Sequence, residues 1–376
     1  MGKDNVRYHY GKKHPYLSLY HETSGVYVRT GLREDGTGTD QDPFLADFPE
    51  ILQIGITGHC ILSRQESQTS GSDDCQNAAD HLERYQTPMS FQDFQTIIRA
   101  CEGKTYQITL QGLEDPDQHP HFADMVAYSR RYGIVPNIIT SGLGITAKLA
   151  AVCKAFCGTA AVHGTYRGTA VVWHRKSASQ RAVDLLLQAG VRTDLHYVLS
   201  AATIGEAIRL LETNGFPDGI HTVFFQLYKP TEYENNKKEI LTTDTPLLKE
   251  FFRLAAKKTF PFQVGFEPCM VPGALCHTRH IEPERLDACE GGRWSAYLTP
   301  DLYLLPCRFA GDDLRYAVSL KDHTMQEAWE SKPFDRFRSL LKTACPDCTK
   351  RENCMGGCPV CPEIVLCDQK PGRKHI

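Results

Sequence analysis

The chain has 376 residues, 41% hydrophobic and 23% charged, a composition typical of a globular protein with a large core. A formal net charge of −3 gives no global attraction to nucleic acid or to an anionic membrane, so neither is expected as a partner. No segment approaches eighteen consecutive apolar residues, and the first residues lack an apolar run that could direct secretion, so a cytoplasmic protein is expected.

Residues 1–50 are rich in Tyr, His, Gly and Asp and show little periodicity. We interpret them as an extension that packs on the body of the protein through a short strand at 25–28. An exposed strand in this extension could hold a peptide by strand addition.

Strand and helix patterns alternate from residue 51 onwards. The predicted strands are 51–57, 105–110, 134–140, 158–163, 193–199 and 220–227, and a further run at 261–267 would extend or close their sheet. The predicted helices are 90–101, 121–132, 145–156, 177–189 and 203–213, the first with Ser90 as its N-cap. This alternation predicts an α/β fold, a partial (β/α)6 TIM-like barrel, with an open doubly wound sheet as the alternative. Either sheet would bind ligands at the carboxyl ends of its strands.

The alternation stops near Cys269, which divides the chain into an extension (1–50), an α/β body (51–268) and a cysteine-rich module (269–376). A hairpin is predicted at 297–307 and two short helices around 323–342. This module has little apolar core, and bound metal could contribute roughly 10 kcal/mol or more to its folding.

The cysteine-rich module carries an array of closely spaced thiols. Its residues are Cys345, Cys348, Cys354 and Cys358, followed by Cys361 and Cys367, with Cys289 and Cys307 on either side of the hairpin. A C-x2-C pair directs two sulfurs toward one metal or cluster, and Gly356 and Gly357 let the backbone approach it with positive φ. The array has more thiolate than one tetrahedral zinc needs, which favours iron–sulfur clusters. A zinc ribbon and simple buried thiols are the alternatives.

The order C-(gap)-G-x-W…P-x-C-(gap)-C-x2-C-x5-C-x3-C-(gap)-C, from Cys289 to Cys367, resembles the SPASM domain of radical S-adenosylmethionine (SAM) peptide maturases. The resemblance implies two auxiliary [4Fe–4S] clusters. The ligands of the first would be Cys289, Cys307 and Cys358, with Cys276 as a further upstream candidate. The ligands of the second would be Cys345, Cys348, Cys354 and Cys367. Cys361 has no position in the pattern.

Radical SAM enzymes also carry three cysteines after the first barrel strand, which bind a [4Fe–4S] cluster that chelates SAM. Cys60 and Cys75 would be the first and last ligands of such a loop here. The usual C-x3-C-x2-C spacing, counted from Cys60, instead places Arg64 and Ser67 in the second and third positions, so Cys75 fits only a longer loop with Gln68 near its middle position. In either spacing the motif is incomplete. A degenerate loop in which both cysteines are ordinary thiols is the alternative.

The segment from Gln111 to Pro116 resembles the glycine-rich GGEP-type segment that holds the SAM amino group in this family. Gly112 would free backbone groups for the ligand, and Glu114 or Asp115 would pair with the ammonium. Asn137, Thr140 and Ser141, from the third strand onwards, would bond the ribose or carboxylate of SAM. A turn or capping role for Thr140 and Ser141 is the alternative.

The resemblance therefore implies a radical SAM/SPASM-type protein of ribosomal peptide maturation, which modifies a peptide substrate or precursor peptide with SAM and [4Fe–4S] clusters as cofactors. One alternative is a catalytically inactive relative, a pseudoenzyme that binds a peptide or an active radical SAM partner. Another is an interaction module stabilised by zinc.

Overall fold

The structure is a computed structural model. It describes residues 5–39, 42–57, 87–112, 115–163, 165–167, 170–172, 178–230, 236–256, 259–278, 286–310 and 314–368. Among these residues, no helix has both the length and the apolar character needed to cross a bilayer.

The amino-terminal residues form a four-stranded antiparallel sheet in the order β1-β2-β3-β4. Its strands are β1 (Val6–Tyr10), β2 (Tyr16–His21), β3 (Val26–Leu32) and β4 (Gly38–Thr39). The sequence predicts only the third of these strands. β1 escaped prediction because tyrosine, histidine and arginine occupy both of its faces. It therefore lacks the apolar alternation that identifies a half-buried strand.

The body of the protein alternates strands and helices, as predicted. Its strands are β5 (Ile51–Thr57), β6 (Gln107–Gly112), β7 (Val135–Thr140), β8 (Ala160–His163), β9 (Thr165–Arg167), β10 (Ala170–Val172), β11 (Thr193–Leu199), β12 (Thr222–Leu227) and β13 (Gln263–Phe266). Its helices are α1 (Phe91–Cys101), α2 (Phe122–Arg131), α3 (Ala147–Phe156), α4 (Ala178–Gln188), α5 (Ile204–Thr213), α6 (Leu248–Ala255) and α7 (Val271–His277). Ser90 is the N-cap of α1, as predicted. Its Oγ accepts a hydrogen bond of 3.0 Å from the Asp93 amide.

The carboxyl-terminal residues are short and rich in turns. They contain β14 (Ser295–Leu298), β15 (Tyr303–Leu305), β16 (Val318–Ser319), α8 (Met325–Trp329), α9 (Lys332–Thr343) and α10 (Arg351–Cys354). The predicted hairpin at 297–307 corresponds to β14 and β15, which are antiparallel. The two predicted short helices correspond to α8 and α9.

Within the described residues, one sheet of ten strands joins the body to the carboxyl-terminal region in the order β13-β12-β11-β8-β7-β6-β5-β14-β15-β16. From β5 to β13 the strands are parallel and follow chain order without a reversal. This order differs from that of a doubly wound sheet, which reverses at a switch point. The hairpin β9–β10 pairs separately.

The two faces of this sheet differ in polarity. On β11, Leu195, Tyr197 and Leu199 are buried in the main core, which also contains residues of the helices. The intervening His196 is only half-buried. The same alternation places Gln53 of β5 and Gln226 of β12 among half-buried positions. Because successive side chains of a strand point to opposite faces, the sheet has one apolar face packed on helices and one polar face.

Glu50 joins the amino-terminal sheet to the body. Its side chain is 1% exposed, and Oε1 accepts hydrogen bonds from Tyr16 Oη (2.9 Å) and Ser18 Oγ (2.8 Å). Oε2 accepts a further bond from Tyr27 Oη. Burial and the nearby Glu50 carboxylate raise the pKa of Tyr27 well above its ordinary value, so this hydroxyl remains a donor.

Replacing Glu50 with Ala should lower the free energy of unfolding by about 3 kcal/mol, because three buried hydroxyl groups lose their acceptor. Urea denaturation followed by far-UV circular dichroism measures this change. The matched control is Glu34→Ala at an exposed position, which should change stability by less than about 0.5 kcal/mol. Equal effects of the two substitutions would contradict the role of Glu50.

Candidate functional site

Four cysteine thiols come together beside the large sheet, and we name them the first thiol group: Cys269, Cys289, Cys307 and Cys358. The thiols of Cys269 and Cys358 are hydrogen-bonded to each other. Cys289 and Cys307 lie within electrostatic reach of Cys358. They come from four separate stretches of chain, between β13 and α7, before β14, after β15 and after α10, so only the tertiary fold brings them together.

Five further thiols form the second thiol group: Cys276, Cys345, Cys348, Cys354 and Cys367. The thiols of Cys276 and Cys367 are hydrogen-bonded to each other. Cys354 lies within electrostatic reach of Cys345, Cys348 and Cys367. The sequence predicts the last four of these residues as one ligand set, and the structure brings those four together.

The structure differs from the sequence interpretation at two cysteines. Cys276, considered for the first cluster, lies instead with the second thiol group on α7. Its place beside Cys358 is taken by Cys269, which sequence reasoning did not select. The difference arises because Cys269 follows β13 directly and so stays close to the sheet, whereas Cys276 is most of a helix further along the chain. A signal for Cys269 existed in its position at the end of the last predicted strand.

The backbone around the second thiol group is tightly turned. Cys345 and Met355 have φ values of 47° and 48°, and Gly356 and Gly357 both have φ of 77°. A Cβ atom on Gly356 would lie 2.5 Å from Ala344 Cβ and 3.4 Å from Cys345 Sγ. The positive φ predicted for both glycines is thus confirmed, and Gly356 also leaves space that a side chain would take from the sulfur.

A charged pair borders the first thiol group. Lys229 and Glu267 are both buried and form an ion pair, and Glu267 Oε1 also accepts the Leu227 amide at 2.9 Å. Burial lowers the pKa of Lys229, but Glu267 and the thiols of Cys269 and Cys358 outweigh it and raise the pKa overall. A permanent ammonium ion therefore lies beside sulfur atoms that would carry negative charge as thiolates.

The thiols of the first group differ in acidity. The hydrogen bond from Cys269, with help from Lys229, lowers the pKa of Cys358 to about 6 despite burial. Burial raises the pKa of Cys307 to about 11 and that of Cys289 further. Ligation by a cation would be needed to hold all four as thiolates in this buried place.

The thiol donors of both groups suit iron–sulfur clusters. Within the described part of the chain, no three His, Cys, Asp or Glu side chains are close enough together to hold one metal ion. The two thiol groups contain four and five thiols. They suit two cubane iron–sulfur clusters, because each such cluster is held by four thiolates. Cys361 is buried beside Glu363 and also lies within electrostatic reach of Cys358, so it is a further thiol at the edge of the first thiol group.

A second constellation lies where β6 and β7 end. The Asp115 carboxylate accepts hydrogen bonds from the Ser141 amide and from Ser141 Oγ, both at 2.6 Å. Asp117 Oδ1 accepts Thr140 Oγ1 at 2.7 Å. Burial and the charge of Asp115 raise the pKa of Asp117 to about 6. Three of the predicted SAM-binding residues, Asp115, Thr140 and Ser141, are thus adjacent at the carboxyl edge of the sheet.

Asn137, which was predicted with these residues, lies elsewhere. Asn137 is the third residue of β7, and its side chain bonds Gln107 Oε1 (2.9 Å), the Thr159 amide (2.9 Å) and Thr159 Oγ1 (3.0 Å). Its amide is therefore engaged toward the amino end of the sheet, away from Ser141. Gly112 is the last residue of β6. Cys60, Cys75 and Glu114 fall outside the described residues.

The polar face carries further polar side chains outside the predicted site. Gln111 Nε2 donates to Gln53 Oε1 at 2.8 Å, and Arg308 Nη1 donates to Gln111 Oε1 at 3.2 Å. His163 and His196, on neighbouring strands, have ring centroids 5.0 Å apart. Arg308 follows Cys307 in the sequence, and only the pairing of β14 with β5 brings it over this face.

No protein-family model matches the chain. Solved structures share its fold. Streptococcus suis SuiB bound to S-adenosylmethionine aligns over 98% of this chain and 99% of that chain, with a TM-score of 0.66 and 13% identity. SuiB bound to precursor peptide SuiA aligns over the same shares, with a TM-score of 0.65 and 13% identity. Native anSMEcpe with bound AdoMet and Cp18Cys peptide aligns over 85% of this chain and 91% of that chain, with a TM-score of 0.55 and 15% identity.

Replacing Cys269 with Ala should lower the iron content of anaerobically reconstituted protein by up to about four irons per chain, because one cubane loses a thiolate ligand. Iron and acid-labile sulfide counting measures the loss. The control is Cys153→Ala, which removes a buried thiol of α3 outside both thiol groups and should leave the iron content unchanged. Wild-type iron content in the Cys269 variant would contradict the assignment.

Proposed function

We propose that this chain is a radical SAM/SPASM-type iron–sulfur protein that modifies a peptide. The observation that carries the proposal is the convergence of two thiol groups beside a parallel sheet whose fold is shared with SAM-bound SuiB. The fold likeness alone would fit many activities. The thiols add a specific chemistry, because a tail with two sets of four or more cysteines is suited to hold two auxiliary [4Fe–4S] clusters.

The first thiol group would hold one cluster through Cys269, Cys289, Cys307 and Cys358. The second would hold another through Cys345, Cys348, Cys354 and Cys367, with Cys276 next to Cys367 as a substitute ligand. Lys229 would stabilise the negative charge of the first set of thiolates, since an ammonium ion in a buried place interacts strongly with nearby anions. Burial of Cys289 and Cys358 in the first group and of Cys345 and Cys354 in the second would limit the access of water and so favour retention of the clusters.

SAM would bind at the carboxyl edge of the sheet. Each oxygen of the Asp115 carboxylate accepts one bond from Ser141 and can accept another, so Asp115 could pair with the ammonium of SAM while Ser141 fixes its orientation. Gly112, at the end of β6, would let the ligand approach the backbone. Glu114 is the neighbouring candidate for the same ammonium.

SAM together with a reducing [4Fe–4S] cluster supplies hydrogen abstraction from an unactivated carbon. The chain's own residues would orient the peptide over the polar face of the sheet and keep water away from it. A peptide substrate is supported by SuiB and anSMEcpe, radical SAM enzymes whose structures include a precursor peptide and the Cp18Cys peptide. The exposed edge strand β1, with Tyr8 65% exposed and Tyr10 56% exposed, offers a further surface for an extended peptide.

One observation favours a second candidate function. The segment between β5 and α1 contains only two cysteines, Cys60 and Cys75, where an active radical SAM loop has three. A relative without the SAM cluster would retain the two auxiliary clusters and act by binding a peptide or an active radical SAM partner. The two candidates share the carboxyl-terminal chemistry and differ only at this loop.

Iron counting and SAM turnover separate these candidates. The enzyme should contain about twelve irons per chain and cleave SAM when reduced, whereas the inactive relative should contain about eight and cleave none. Liquid chromatography of the nucleoside products from anaerobically loaded protein measures the cleavage. Zinc in place of iron, with no visible chromophore, would reject both candidates.

Replacing Asp115 with Asn should weaken SAM binding at least tenfold, because the residue keeps its size and its bond to the Ser141 amide but loses the charge that pairs with the ammonium. Equilibrium dialysis with labelled SAM measures this change. The control is Asp218→Asn, which removes an exposed carboxylate far along the chain and should leave binding unchanged. Unchanged affinity in the Asp115 variant would direct attention to Glu114 and overturn the assignment of Asp115.

A further inference from the structure

We propose that Arg308 is a specificity-determining residue that binds a side-chain carboxylate of the peptide substrate over the polar face of the sheet. The inference rests on the proposed peptide-binding role and adds the chemical class of the residue that the site accepts. It derives from the position of one guanidinium group and from the groups that surround it.

The position of Arg308 is fixed by a chain of amide groups. Its Nη1 donates to Gln111 Oε1, and Gln111 Nε2 donates to Gln53 Oε1, so the contact runs across β6 and β5. The guanidinium also lies over the Phe309 ring at 5.1 Å. A guanidinium held by one amide oxygen keeps most of its five N–H donors for another partner.

Two histidines lie on the polar face near the Arg308 guanidinium. The Nδ1 atoms of His163 and His196 are buried, and neither has a hydrogen-bond partner within the described part of the chain. Burial lowers the pKa of His196 to about 4, with a smaller effect from Arg308, and the pKa of His163 is likewise lowered by burial, His196 and Arg308. Both rings are therefore neutral at pH 7 and offer polar atoms without adding charge.

The effect of Arg308 on the pKa of both histidines also indicates where its guanidinium lies. The guanidinium lies on the β14 side of the sheet, yet its charge reaches His163 on β8 and His196 on β11. It also reaches Tyr297 of β14. A group within electrostatic range of β14, β8 and β11 lies over the middle of the polar face, where a substrate side chain would have to enter.

Within the described ranges, the charge of Arg308 has no ion-pair partner. Lys229 is neutralised by Glu267, but no carboxylate among the described residues forms an ion pair with Arg308. An unpaired guanidinium above neutral imidazoles favours an anion, and its planar fork suits a carboxylate in particular. An Asp or Glu side chain of the peptide would supply that carboxylate.

SAM also carries a carboxylate, which is the other source of this chemistry. The candidate SAM contacts of Asp115 and Ser141 lie at the rim where β6 and β7 end, whereas Arg308 is in the carboxyl-terminal region and reaches across to β11. The placement over the middle of the face favours the peptide.

The test uses two capped pentapeptides, acetyl-Gly-Gly-Glu-Gly-Gly-amide and the same peptide with Gln in the centre, which differ only in the carboxylate. Binding to fully loaded protein with SAM present is followed by ligand-observed NMR. Wild-type protein should bind the Glu peptide at least tenfold more tightly than the Gln peptide. Arg308→Gln should abolish this preference, and Arg308→Lys should retain part of it, because lysine keeps the charge without the fork.

Arg315→Gln is the matched control, since Arg315 is another exposed arginine of the carboxyl-terminal region and lies over the Tyr316 ring. It should leave the preference intact. Absence of a preference in wild-type protein would overturn the proposal. So would an Arg308→Gln variant that loses SAM affinity but keeps the preference, because the carboxylate would then be that of SAM. SAM cleavage is measured separately on the same preparations, so a preference without cleavage supports the role of Arg308 and counts against the enzyme.

Discussion

The pairing of β14 with β5 is the interaction on which the arrangement of the molecule depends. The two strands run parallel, with Ser295 opposite Ile51 and Leu298 opposite Ile54. Because β5 is also the first strand of the body, this short ladder makes the cysteine-rich region a continuation of the large sheet. Cys289 precedes β14 and Cys307 follows β15, so the same ladder sets the position of the first thiol group relative to the strand ends. It also directs Arg308 over the polar face.

Local chemistry made the order of elements in the body predictable. Helix α1 follows a serine N-cap and has a clear apolar face, and each parallel strand is a compact apolar or β-branched run. Gly356 and Gly357 were predictable for a similar reason, since a tight turn between closely spaced cysteines requires positive φ. Such features depend on residues a few positions apart, and a single sequence contains them.

Features that depend on distant contacts were not predictable in the same way. Cys269 and Cys276 are seven residues apart, and their partition between two thiol groups is decided by the path of α7. Asn137 was expected beside Ser141 because both belong to one strand region, yet its amide bonds Gln107 and Thr159 near the other end of the sheet. Arg308 resembles any surface arginine in the sequence, and its importance depends on Gln111, almost two hundred residues earlier.

The stretch 42–50 is held by the far end of the chain. Arg293 donates to the Phe44 carbonyl across 249 positions, and Trp329 Nε1 donates to the Ala46 carbonyl across 283. During synthesis at about 5–20 residues per second, these partners emerge roughly 12–57 s after the stretch itself. Throughout that interval the nascent segment 42–50 lacks these two contacts. The segment 42–50 can thus complete its contacts only after residue 329 has been synthesised.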